Sequence, residues 1–133
     1  MSKLFERAKV RLENAHNSYR KIQQNDAYLD DCCYNLQQAV EMMLKYCVEL
    51  TGQSYVENHD IRAQLNKLDT QGVKLPFEED LRKMAPTINE WEAKSRYSES
   101  FIATIQDINT VFDLTEKLKE YCNGLVTETK TDS

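Results

Sequence analysis

Between residues 29 and 50, apolar side chains recur at alternating steps of four and three: Leu29, Cys33, Leu36, Val40, Met43, Cys47 and Leu50. The pattern holds for about six helical turns, which is too long and too regular for a strand. It predicts a helix over 27–51 whose apolar seam belongs to a bundle, with Gly52 at the C-cap. The rest of the chain follows the same rule. Leu4, Ala8, Leu12, Ala15, Tyr19 and Ile22 predict a first helix over 2–24. Asn25-Asp26 then interrupts it, and either residue can cap the second helix.

Asn58 is placed to cap a short third helix reaching about Gln71, with Ile61, Leu65 and Leu68 on its inner face, Asp60 in its first turn and Gly72 at its end. A fourth helix opens on Glu78, Glu79 and Asp80, which suit the helix dipole. Its apolar positions Phe77, Leu81, Met84, Ile88 and Trp91 keep the spacing through Pro86, where a kink or short break is expected. A polar connection over 95–100 leads to a fifth helix from about Phe101 to Asn123. That helix turns Ile105, Ile108, Val111, Phe112, Leu118 and Cys122 inward and stops at Asn123-Gly124.

The fold expected is therefore all-α, an up-and-down antiparallel helical bundle of about five helices. Three glycines and two prolines in 133 residues leave few turns to divide among short strands. One domain over 1–126 and a flexible tail over 127–133 account for the length. The formal charge of −5 and a pI near 5.1 disfavour general DNA or other nucleic-acid binding at long range, though a local basic pocket stays open. No run approaches the ~20 apolar residues of a membrane span, and the first residues lack a signal-peptide core, so the default compartment is the cytoplasm. Cys32, Cys33, Cys47 and Cys122 form no CxxC pair and read as reduced core thiols.

His16 and His59 are the only histidines, and neither has a second metal ligand at helical spacing, so no metal or cofactor is expected. Phosphate-cradling glycine loops and hydrolase elbows are absent as well. Two segments carry candidate chemistry. In helix two, Gln37, Glu41 and Lys45 align at steps of four beside Gln38; they form either a solvated helix face or a polar patch that hydrogen-bonds a partner. Between helices four and five, Arg96 and Tyr97 offer a planar fork beside an aromatic face, suited to phosphate, carboxylate or nucleobase. Alternatively, Arg96 ties the connection to a helix end while Tyr97 covers the core edge.

Taken in order, Tyr34-Asn35-Leu36-Gln37-Gln38-Ala39-Val40-Glu41 with Lys45, Gly52, His59-Asp60-Ile61, Leu65 and Leu68, Trp91 and Ser95-Arg96-Tyr97 resemble the HEPN domain family (higher eukaryotes and prokaryotes nucleotide-binding) over about residues 5–123. The resemblance implies a bundle of about five helices that assembles as a homodimer. It also implies one of two activities. Some members are metal-independent ribonucleases, toxins of toxin–antitoxin pairs, with an arginine followed four to six residues later by a histidine. Others lack that pair and are binding modules, often partners of a small nucleotidyltransferase. No histidine follows Arg96 in that range, and Arg11 with His16 has the bare spacing on the wrong helix. The expected function is thus a non-catalytic module that binds a nucleotidyltransferase or, at a dimer cleft, a nucleotide, with Gln37, Gln38, Glu41, His59, Arg96 and Tyr97 as the candidate surface. A ribonuclease using Arg96 with an unconventional base, and a plain helical scaffold, are the alternatives. A surplus of apolar positions on helices two and five motivates the dimer.

Overall fold

The computed structural model describes the backbone of residues 2–94 and 103–131 and the side chains of 2–93 and 103–126. Five helices follow in order: α1 (Leu4–Arg20), α2 (Ala27–Leu50), α3 (Ile61–Thr70), α4 (Glu78–Lys94) and α5 (Ile105–Thr131). The protein is an all-α helical bundle, with no strand among the described residues.

α2 is the axis of the bundle, packed against each of the other four helices. Its seam is buried from Cys33 to Cys47, but the opposite positions Cys32, Ala39, Leu44 and Val48 are buried too. Polar groups buried on a helix enclosed over most of its surface must be satisfied internally. Asn35 does so by donating to the Asp31 carbonyl at 2.9 Å and to the Asp31 carboxylate at 3.2 Å. The same carboxylate accepts the hydroxyl of Ser18, a buried residue of α1. All four cysteines are buried free thiols, and burial beside Asp31 pushes the Cys32 thiol up to about 12. The Cys47 and Cys122 sulfurs meet at 3.7 Å between α2 and α5, and their contact with burial raises the Cys122 thiol as well.

The other helices use one face each. α1 buries Phe5, Ala8, Leu12 and Ala15, with Phe5 stacked on Tyr46 of α2 at 5.3 Å between ring centroids. α3 buries Ile61, Leu65 and Leu68, and α4 buries Leu81, Ala85, Ile88 and Trp91. Arg82 joins these two helices by donating to Asp69 at 2.6 Å and Asn66 at 2.9 Å.

Several expected boundaries shift, each for a local reason. α1 ends at Arg20, and residues 21–24 form turns. Asn25 rather than Asp26 supplies the side-chain oxygen at the start of α2, accepting the Ala27 N–H at 2.9 Å. Asp60, not Asn58, caps α3; its carboxylate accepts the Arg62 N–H at 3.0 Å while Asn58 accepts the Asp60 N–H. α4 continues unbroken through Pro86, an exposed position. α5 starts where Thr104 accepts the Asp107 N–H, and it passes Asn123-Gly124 to reach Thr131. Gly52 and Gly72 take the positive φ that ends a helix, whereas Gly124 does not. Leu50 and Ile105, both expected inside, are 41% and 45% exposed because each sits at the last or first turn of its helix, beyond the neighbours that would cover it.

Candidate functional site

The loop from Thr51 to Asp60 crosses from α2 to α3 and is pinned by both α3 and α4. Gln64 of α3, fully buried, donates to the Val56 carbonyl at 2.6 Å and accepts the Val56 N–H at 3.2 Å. Asn89 of α4 accepts the Ile61 N–H at 3.0 Å and donates to the Asp60 carboxylate at 2.9 Å. A loop held this way has a fixed backbone, and it lays His59 against α2.

There, Glu41 gathers the donors. It is 4% exposed, and its Oε1 receives Gln37 Nε2 at 3.0 Å and His59 Nδ1 at 2.7 Å. Its Oε2 faces Lys45 Nζ at 3.4 Å, and Gln38 Nε2 donates to Gln37 Oε1 at 2.7 Å. A carboxylate that accepts from Nδ1 fixes the proton of the imidazole on that nitrogen and turns Nε2 outward. His59 is the exposed member of the cluster, its side chain 58% open, with Nε2 3.9 Å from Glu92 Oε1. Lys45 Nζ lies 4.9 Å above the Tyr55 ring. Lys45, Tyr55, Glu57, Asn58 and His59 line a hollow of ≈ 260 Å³, slightly under the roughly 300–1,000 Å³ of typical small-molecule pockets. The arrangement can present an oriented imidazole nitrogen to a polar group or pass a proton through it.

Four of the six expected site residues, Gln37, Gln38, Glu41 and His59, therefore come together; Arg96 and Tyr97 lie outside the described residues. The solvated-face reading of Gln37 and Glu41 is overturned. Both are buried, because α3, α4 and the loop cover the side of α2 from which they project. Gln37 and Glu41 cannot touch a partner directly and instead hold His59. Sequence reasoning missed Tyr55, Asn58 and Asn89 as parts of this corner, and also Gln64. Gln64 alone left a signal: it stands at a core position of the stripe Ile61, Leu65, Leu68, where a polar side chain needs a buried partner.

Arg11 and His16 do not converge. Five residues turn about 140° past a full helical circle, so the two leave α1 in different directions. Arg11 donates to Asn35 at 3.5 Å, while His16 stacks on Phe112 at 4.4 Å and meets Glu116 at 3.0 Å. Among the described residues, no three His, Cys, Asp or Glu side chains gather as a metal site, and no helix is long and apolar enough to cross a membrane. A family model described as HEPN domain matches residues 1–125. No curated protein and no solved structure matches the chain.

Proposed function

The chain belongs to the HEPN domain family, and from that premise we propose that it is a non-catalytic binding module whose partner is a small nucleotidyltransferase or, in a homodimer, a nucleotide at the cleft between copies. The family points to nucleotide-binding or ribonuclease-like modules. The observation that supports the binding reading is how the Glu41 cluster uses its groups. Gln37, Gln38, Glu41 and Lys45 are occupied with one another, and their common effect is to orient a single exposed imidazole. The hollow around that imidazole is open and small, so a second chain has to supply the remaining wall if a nucleotide is to be enclosed.

The test is gentle purification at natural expression, with the accompanying proteins identified by mass spectrometry. A nucleotidyltransferase recovered in near-equal amount, and weakened about tenfold by His59→Ala, is the expected result. Recovery of the chain alone, together with a monomer by light scattering at tens of micromolar, would remove both forms of the proposal.

One observation favours a second reading, the metal-independent ribonuclease or toxin. A buried carboxylate that fixes Nδ1 and turns Nε2 toward the open side, near Glu92, suits His59 as a base in place of the histidine that Arg96 lacks. In that case RNA cleavage disappears in both Arg96→Ala and His59→Ala. Under the plain scaffold reading, Arg96→Ala lowers the melting temperature and leaves all binding intact.

A further inference from the structure

The chain is acidic as a whole but not throughout. Residues 1–24 hold six Lys or Arg and two Glu, a net +4 within a total of −5, so the remainder carries −9. On α1 the outward positions Arg7, Val10, Arg11 and Asn14 follow at steps of three, one and three, which places them on one stripe. With Met42 of α2 as its floor, this stripe lines a groove of ≈ 400 Å³. Val10 is 54% exposed in the middle of it, the most exposed large apolar side chain among the described residues. The cations here are underused. Arg11 makes one long contact, 3.5 Å, to the neutral Asn35. Arg7 meets no carboxylate among the described residues, whereas Lys9 on another face is paired with Glu6 at 2.9 Å.

We propose that this groove is a docking site for an acidic segment of a partner protein that also bears an aliphatic side chain. The forks of Arg7 and Arg11 take its carboxylates, and Val10 with Met42 seats the apolar group. Arginine and methionine around an apolar centre are what protein interfaces enrich, and planar guanidinium groups match carboxylates two bonds at a time. An RNA strand has the charge but not the fit. Among the described residues no aromatic side chain lines the groove to stack a base, and the −9 of the remaining chain repels a long polyanion. A second copy docking through the same face would set four arginines against one another. Among the described residues the groove shares no lining residue with the His59 hollow, and the proposal does not rest on the reading given for that site.

The experiment measures fluorescence anisotropy with a labelled peptide of about a dozen residues in which Glu flanks Leu, against the full chain. Two control peptides replace Glu by Gln or Leu by Ser, and a uridine oligonucleotide of similar length is the fourth probe. The Glu/Leu peptide is expected to bind more tightly than the other three, and Arg7→Glu to weaken it at least about tenfold. Arg7 and Val10 are exposed, so Arg7→Glu and Val10→Ser keep the fold, which the melting temperature verifies; Val10→Ser should weaken the Glu/Leu peptide but not the Leu-to-Ser control. Equal affinity in wild type and Arg7→Glu overturns the proposal, as does no binding up to about 1 mM peptide. Tighter binding of the oligonucleotide would make the groove an RNA site. Self-association that Arg7→Glu abolishes would make it an interface between copies.

Discussion

α1 and α2 lie side by side and share the same three-four spacing, yet they use their polar residues in opposite ways. α1 buries one stripe and leaves most of its charges in water, with Arg7 and Glu13 exposed and Lys9 paired with the exposed Glu6 above the Phe5 ring. α2 is covered over most of its surface, and Asn35, Gln37, Gln38 and Glu41 are all buried and each bonds a named neighbour. On α1 a polar residue is free to be chosen for what it meets outside the molecule. On α2 the same residue types are part of the interior, and His59, bonded to Glu41, carries that cluster to the surface. The apolar surplus of α2 that motivated a dimer is likewise consumed inside one chain, leaving Leu50 at its end as the large apolar side chain that remains open.

The sharpest way to break this contrast lies within α2 itself. Leu36 and Leu50 are two positions of one seam, but Leu36 is fully buried and Leu50 is 41% exposed. Leu36→Ala should cost about 3 kcal/mol through lost burial and the cavity left behind. Leu50→Ala should cost under about 0.5 kcal/mol. Urea denaturation of both variants measures the difference. Equal losses would mean that Leu50 is covered in solution, as a dimer through that end of α2 would require.

Glu41 comes next in size. Glu41→Ala removes the acceptor of Gln37, His59 and Lys45 at once. Breaking a buried ion pair costs several kcal/mol. Here Lys45 and His59 regain some water on release, so about 2 kcal/mol is expected, with Glu41→Gln roughly half of that because an amide oxygen still accepts. Nitrogen-15 spectra should show His59 losing its fixed tautomer in Glu41→Ala and keeping it in Glu41→Gln, whose amide oxygen can still accept from Nδ1. An unchanged tautomer in Glu41→Ala would mean that the loop, pinned by Gln64 and Asn89, orients the ring without the carboxylate.

Much of the bundle is legible in the spacing, because a helix buried on one side writes its face into the sequence. α3 is the clearest case, with Ile61, Leu65 and Leu68 all where the pattern puts them. Where a helix is buried over most of its surface, period carries less. The seam of α2 is readable, but the burial of Gln37 and Glu41 depends on α3, α4 and the loop arriving from distant parts of the chain. The caps show a similar limit. Asn58 and Asp60 are both good cap residues two positions apart, and their geometry, not their identity, decides which one caps. Gly124 shows the same for helix ends: glycine permits a stop but does not impose one. In the cluster, spacing alone joins Gln37, Glu41 and Lys45, whereas His59 enters only through the order of family motifs, since it lies eighteen residues from Glu41 and no local spacing joins them.

The smallest expected effect tests the α1 side of the comparison. Arg7 falls in the first turn of α1, where the positive end of the helix dipole disfavours a cation, and among the described residues no carboxylate compensates it. Arg7→Ala should therefore change stability by no more than about 0.5 kcal/mol, and in the stabilising direction, since alanine is also the better helix former. Thermal unfolding at low and high salt measures both parts: the gain should be present at low salt and shrink as salt screens the dipole. A loss above about 1 kcal/mol would show that Arg7 holds the fold through a contact of its own, and the groove would then belong to the interior economy that governs α2. A small gain leaves a cation that its own helix is better without, which is the behaviour of a residue placed for something outside the chain.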